Sequence, residues 1–264
     1  MRSMRSLPQN YLSRSLDPSS AEVLNVISYP RFNPSDYLDR INEIHSLGVK
    51  AIISEGSLKI GKVAILGKGT VSLVLKSKSL DNGICALKIR RIDSNRPDMD
   101  QEVRMHTKAN SVGIGPKILM HSRNIILMEL IEGQNIVNWI RRNDNTTESE
   151  RILEIVSNIL EQCYSLDRLG VDHGQLHCLN NHVIISESSR TTIIDFESAS
   201  DQRRTSNVTS ASNSLFLSGH ISKRITDILR LQCKKRSLFE ALRTYKISQC
   251  REDFQKIVNI LKKQ

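Results

Sequence analysis

Hydrophobic spacing changes character twice along this chain of 264 residues, and no single layer of helices or of sheet accommodates all of it. Tyr37, Leu38, Ile41, Ile44 and Leu47 recur at helical spacing behind Asn33, a capping residue type, and Pro34, suited to a first helical position. That spacing predicts a helix over 34–47, ended by Gly48. From 56 to 140 the pattern becomes short β-rich runs at 63–66, 71–76 and 84–92. The last two are joined around Asp81, Asn82 and Gly83, residue types that tolerate the left-handed dihedrals of a tight hairpin. Residues 98–110 predict one helix closed by Gly113, Gly115 and Pro116, followed by strands at 117–121 and 124–130. Helical spacing then returns. Thr147 and Glu150 stand in capping-box register ahead of Ile152, Val156, Ile159, Leu160, Cys163, Leu166 and Leu169, up to Gly170. Strands at 183–186 and 191–195, a Ser/Thr-rich stretch, and helices near 213–232, 236–247 and 251–263 complete an α+β reading. No repeat of 20–50 residues is present, which excludes solenoids and propellers.

Composition narrows the classes further. Hydrophobic residues at 39% and charged residues at 25% belong to a chain that folds. A net charge of +10 makes polyanions such as nucleotides, RNA or ribosomes plausible partners, although a basic solvated surface accounts for it equally well. Cys85, Cys163, Cys178, Cys233 and Cys250 contain no CxxC pair, which argues against a zinc knuckle or disulfide framework and for free, mostly buried thiols in a reducing compartment. No apolar run is long enough to span a membrane and no hydrophobic signal core is visible, so the expected compartment is cytoplasmic, with no membrane partner. Arg2, Arg5 and Arg14 precede the first acid, Asp17, and residues 1–16 read as a disordered basic arm.

Several segments carry candidate chemistry. Gly67, Lys68, Gly69, Thr70, Val71 and Ser72 lie between two predicted strands, a glycine hairpin rather than a strand-to-helix phosphate loop. Such a hairpin is either an ordinary turn or a lid whose backbone N–H groups approach phosphates. Lys88 sits inside the apolar strand Cys85-Ala86-Leu87-Lys88-Ile89; it needs an anion, unless the strand is an edge from which the ammonium reaches water. Glu102 on the following helix and phosphate oxygens are both suitable anions. Asp195 leaves the β-branched run Ile193-Ile194 and either binds Mg²⁺ or caps a turn. Upstream, Asp172-His173-Gly174-Gln175-Leu176-His177-Cys178-Leu179-Asn180 supplies several polar side chains.

Glycine hairpin, strand Lys, helix Glu, polar loop and strand-end Asp, in that order, resemble the protein kinase-like superfamily. More narrowly, the chain is similar to the atypical RIO-like group and to a family of predicted archaeal serine/threonine kinases. The resemblance covers about residues 30–220. Its local matches are Tyr29-Pro30-Arg31, Leu66-Gly67-Lys68-Gly69, Ala86-Leu87-Lys88-Ile89-Arg90, Ser111-Val112-Gly113-Ile114-Gly115-Pro116, Met128-Glu129-Leu130-Ile131-Glu132-Gly133, Asp172-His173-Gly174-Gln175-Leu176 and Ile194-Asp195-Phe196-Glu197-Ser198-Ala199-Ser200.

The resemblance implies a two-lobed kinase-like α+β fold. A basic arm and helical extension would occupy 1–55, a small lobe of about five antiparallel strands and one helix 56–133, and a compact helical large lobe 134–264. ATP and Mg²⁺ are expected between the lobes, with transfer of the γ-phosphoryl group to a Ser or Thr hydroxyl of a protein substrate or of the chain itself. Gly67 to Ser72 would cover the phosphates, Lys88 would contact the α and β phosphates, and Glu102 would fix Lys88. Met128 would border the adenine, and the Glu129 carbonyl and Ile131 N–H would read its edge. Asp195 would chelate the metal, with Asn180 at the offset of a second ligand and His182 the alternative for that place. Glu197 replaces the usual Gly after Phe196, which implies a fixed loop.

One departure bears on catalysis. Gln175 occupies the place of the Asp that accepts the substrate hydroxyl's proton, and an amide accepts no proton at neutral pH. Asp172 is the candidate replacement base, against the alternative of a hydrogen bond to the loop backbone; His173 and His177 are further candidates, against a place in the core. Loss of a base is tolerable in phosphoryl transfer, whose loose transition state depends on positioning and charge neutralisation. A nucleotide-binding pseudokinase is therefore the competing expectation. Thr205 and Ser206 beside Arg203 and Arg204 are candidate autophosphorylation sites, against a mobile hydroxyl-rich loop with no such role. An RNA- or ribosome-associated module is a further alternative, although aromatics are only 4% and Asp36, Asp39 and Glu43 on the 34–47 helix would repel phosphates.

Overall fold

The computed structural model describes residues 13–142, 149–218 and 221–262; Thr147 and residues 1–12 of the expected basic arm lie outside them. The chain divides into two compact units, Met1–Met99 with Ile118–Leu130, and Asp100–Lys117 with Ile131–Gln264.

The first unit contains β1 (Arg14–Leu16), α1 (Ala21–Ile27), α2 (Pro34–Ser46), β2 (Val49–Ser54), β3 (Leu58–Ile60), β4 (Val63–Ile65), β5 (Gly67–Lys68), β6 (Ser72–Ser79), β7 (Gly83–Arg90), β8 (Ile118–His121) and β9 (Ile125–Glu129). Its sheet runs β1-β2-β6-β7-β9-β8, antiparallel throughout, with β5 folded onto β6 and β3-β4 as a separate hairpin. Strand alternation sends Leu73 and Leu75 of β6, Cys85, Leu87 and Ile89 of β7, and Ile125 and Leu127 of β9 into one core. Val23, Val26 and Ile27 of α1 and Ile41 and Ile44 of α2 complete that core. β1 and β2 extend the sheet, and α1 and α2 pack their apolar residues into its core. The Asn33 cap is present, its side-chain oxygen accepting from Ser35 N (3.0 Å) and Asp36 N (3.4 Å). Glu43 of α2 accepts from Asn124 N (2.8 Å) and Asn124 Nδ2 (2.6 Å), so this acid ties the helix to the sheet.

In the second unit α3 (Asp100–Asn110) is followed by β10 (Gln134–Asn135), α4 (Ile136–Arg142), α5 (Ser149–Leu169), α6 (Leu179–His182), β11 (Val183–Ile185) and β12 (Thr191–Ile193). Then come α7 (Asn207–Ser212), α8 (Ser222–Ile228), α9 (Lys235–Ser248) and α10 (Arg251–Lys262). α3 groups with this unit. A three-stranded sheet orders β10-β11-β12. The predicted stripe of α5 is buried, Ile152, Val156, Ile159, Leu160, Cys163 and Leu166 all entering the second core. The Ser/Thr-rich stretch is not an open loop: α7 runs through it into a π-helical turn, Asn213–Leu217, with Val208, Ala211, Leu215 and Phe216 buried. Small hydroxyl side chains concealed its apolar face.

A buried polar knot joins three helices. The Asp167 carboxylate, near the end of α5, accepts from Asn207 N (2.9 Å), Asn207 Nδ2 (2.8 Å), Val208 N (3.2 Å) and the Tyr245 hydroxyl (2.9 Å). Burial pushes this carboxyl above its ordinary range while those donors pull it back. Asn207 Nδ2 also donates to Val171 O (2.7 Å), and its Oδ1 accepts from His173 N (2.8 Å). Tyr245→Phe should lower unfolding free energy in urea by about 2 kcal/mol, one bond to a charged group. Asp167→Ala, which leaves several buried donors unmatched, should cost on the order of 4 kcal/mol. Equal losses, or a smaller one for Asp167→Ala, would contradict this account.

Candidate functional site

In the first unit the glycine segment is a hairpin, with Gly69 N donating to Ser72 O (2.8 Å). Arg91 braces it, its Nη1 donating to Gly69 O (2.9 Å) and its N to Val71 O (2.7 Å). Lys68 Nζ lies 4.7 Å from the centre of the Tyr29 ring. A Cβ on Gly67 would meet only the Val74 side chain, at 3.8 Å, so the chain's own packing does not demand glycine there. Lys88 lies on a central strand, opposite Val74 of β6 and Ile126 of β9, which excludes the edge-strand reading. It is 3% exposed, and alternation puts it with Ala86, Ile126 and Met128 on the sheet face turned away from the first core. Glu129 closes β9, and Ile131 is the first residue past the unit boundary.

In the second unit β11 and β12 form a hairpin in which Val183 faces Ile193, and Ile194 N extends the ladder to His182 O (3.0 Å). Asp195 follows with φ of 70°, a left-handed backbone that costs energy for a residue with a Cβ and that clusters at functional sites. The anchor is Phe196, fully buried, its ring stacked on His106 with centroids 4.7 Å apart and tilted against His173 at 5.2 Å. Gly115 allows this. With φ of +84°, a Cβ there would meet the Phe196 ring at 2.7 Å and His106 Nε2 at 3.0 Å. Asp195 Oδ2 comes within 3.7 Å of His182 Nδ1. Asn180 donates its amide nitrogen to Asn181 Oδ1 (3.1 Å). His182, at the entry to β11, is brought to Asp195. Glu102 on α3 is buried.

Asp172 is placed as a tie rather than as a free base. Its carboxylate accepts from Arg203 Nε, Ser206 N (3.0 Å) and Ser206 Oγ (3.2 Å), and its backbone pairs with Ser200 in both directions at 2.9 Å. Gly174 makes room for this arrangement, since a Cβ there would lie 2.3 Å from Arg203 Nη2. Gln175 buries its side-chain oxygen in the same loop, and His177 is exposed. The segment after Glu197 is fastened along its length. Gln101 donates to Ala199 O (3.3 Å), Asp201 accepts from Arg104 (2.9 Å) and Lys108 (2.7 Å), and Gln249 donates to Thr205 O (2.8 Å). Thr205 is buried and Ser206 is committed to Asp172, so neither is presented as an exposed modification site.

The sequence reading missed His106, Asp167, Asn207 and Tyr245. Asp167 offered a signal, because it stands four residues after Cys163, on the apolar face of α5 where a carboxylate needs donors. Of the cysteines, Cys85 and Cys163 are buried, Cys178 and Cys250 half-buried and Cys233 exposed, all as free thiols.

His173 is buried with Nε2 3.1 Å from Ile194 O, and burial, then the neighbouring His182, lowers its pKa from 6.5 to about 4. Below pH 6.5 the unfolded chain takes up a proton that the native ring refuses, so stability falls as pH drops from 6.5 to about 4. The native protein should lose roughly 3 kcal/mol more than His173→Gln across that window, read from urea melts at each pH. Parallel curves for the two proteins would refute it.

No protein-family model matches the chain. It is 33% identical over 104 residues to the uncharacterized protein MJ1211 of Methanocaldococcus jannaschii, a match that takes 39% of this chain and 84% of that protein. Among the described residues no helix is long and apolar enough to cross a membrane. Identity at this level across most of the archaeal protein's length means that the chain belongs to the same family as MJ1211.

Proposed function

We propose that the chain is an ATP- and Mg²⁺-dependent phosphotransferase of the atypical protein-kinase type, acting on Ser or Thr hydroxyls, with the two-lobed fold of that superfamily. The observation that carries the reading is Lys88: an ammonium buried in a central strand, on the face that also bears Ala86 and Met128, where a charge is kept only in a polar site. The glycine hairpin on the neighbouring strand and the left-handed Asp195 with its carboxylate 35% exposed add to it.

The donor set suits a nucleotide-borne cation. Among the described residues no three His, Cys, Asp or Glu side chains form a metal cage, and Mg²⁺ characteristically takes one or two protein ligands and completes its shell with phosphate oxygens and water. When bound, Mg²⁺-ATP supplies the transferable phosphoryl group and its charge neutralisation. The chain's part is positioning. Backbone N–H groups of Gly67 to Ser72 would cover the phosphates, Lys88 would donate to the α and β phosphates, and Glu102 would be the carboxylate that orients Lys88. Met128, the Glu129 carbonyl and the Ile131 N–H would take the adenine. Asp195 would hold the metal, with Asn180 or His182 as its second ligand. Asp172, engaged by Arg203 and Ser206, anchors the loop.

That engagement, with Gln175 at the usual base position, favours a second reading in which the protein binds nucleotide as a switch and transfers phosphate slowly or not at all. Incubation with radiolabelled ATP and Mg²⁺, beside equilibrium nucleotide binding, separates the two. The kinase reading expects label on protein Ser or Thr, reduced at least about 100-fold in Lys88→Ala and Asp195→Ala, with Asp172→Asn less stable yet still active. Saturable binding without transfer selects the switch. Failure of the native chain to bind ATP in the presence of Mg²⁺ refutes both.

A further inference from the structure

We propose that the divalent cation held by Asp195 takes the His182 imidazole as its second protein donor, so that the site prefers Mn²⁺ to Mg²⁺; this rests on the nucleotide-binding reading above. His182 closes α6 immediately before β11, and the bond from Ile194 N to its carbonyl (3.0 Å) sets it across the hairpin from the residue preceding Asp195. The left-handed backbone of Asp195 accompanies an approach of its Oδ2 to His182 Nδ1 of 3.7 Å. Octahedral bonds of about 2.1 Å place neighbouring donors about 3 Å apart, so one ion spans this pair once the two side chains close by a further fraction of an ångström.

The ring is held for this position. Its side chain is 7% exposed, against 35% for Asp195, and the His173 ring packs on it edge-on with centroids 5.3 Å apart. His173 itself is directed elsewhere, its Nε2 lying 3.1 Å from the Ile194 carbonyl. Asp195 and His182 together offer one carboxylate oxygen and one imidazole nitrogen, and the remaining positions fall to phosphate oxygens and water. Among first-row divalent ions Mn²⁺ is the one held most weakly by nitrogen, yet it accepts an imidazole more readily than Mg²⁺, which keeps to an oxygen shell.

The direct test labels the 264-residue chain with [¹⁵N]histidine, adds Mn²⁺ and ATP, and records pulsed electron paramagnetic resonance. The label separates protein imidazole from the unlabelled adenine nitrogens. The expected result is a ¹⁵N coupling to Mn²⁺ that disappears in His182→Asn. Alongside it, ATP affinity should be about tenfold higher with Mn²⁺ than with Mg²⁺ in the native protein, the ratio falling toward one in His182→Asn, whose amide restores an oxygen donor. The coupling is measured on the native chain, so it stands even if the variant folds poorly. Tight Mn²⁺-ATP binding without ¹⁵N coupling, or a coupling that survives in folded His182→Asn, overturns the inference and leaves the nucleotide-binding reading intact. Absence of ATP binding with either cation removes the reading, and the inference with it.

Discussion

A carboxylate buried against the N-terminus of a short helix organises the second unit. Asp167 takes the N–H groups of Asn207 and Val208 and the Tyr245 hydroxyl, and so ties α5, α7 and α9 at one point. A six-residue helix such as α7 is too short to persist on its own, and an acid at its amino end both satisfies free N–H groups and complements the helix dipole. From this knot the restraint passes outward through Asn207 to His173 N, from His173 Nε2 to the Ile194 carbonyl, and so to the residue before Asp195. The left-handed conformation at Asp195 is held in part by packing some distance away.

Close approach does the rest. Gly115 admits the Phe196 and His106 rings, and Gly174 admits the Arg203 guanidinium; in each place backbone φ and the space a Cβ would need give the same requirement. Arg203 then commits Asp172 to the segment 198–206, which Arg104 and Lys108 of α3 hold through Asp201. These pairs are partly exposed, so each contributes modestly to stability. Together they keep one geometry, and the charges that do so are already present in the unmodified chain.

Much of the first unit could be read locally. The Asn33-Pro34 start of α2, the Asp81-Asn82-Gly83 turn and the glycine hairpin are all encoded within a few residues, because capping and turn chemistry act over that range. β1 and β2 escaped because their short runs show no decisive alternation and are strands only by pairing with β6. α7 escaped for a related reason: Ser, Thr and Asn favour turns in isolation, and it is the Asp167 carboxylate and the core around Val208 and Phe216 that make this stretch helical. Within the candidate site Lys88 and Asp195 were legible as charges beside apolar runs. Asp172 was legible as an acid, but its engagement by Arg203 and Ser206 joins residues more than thirty positions apart.

By itself the sequence determined which stretches have helical and which have strand periodicity, where tight turns fall, and which ionisable groups sit against apolar runs, since these depend on neighbours along the chain. Tertiary structure alone decided that Asp172 anchors a loop, that His182 stands beside Asp195, and that Phe196 is clasped by two histidines. A side chain's role rests on what packing brings within bonding distance of it, and a spacing pattern carries no information about partners from distant segments until the core has closed around them.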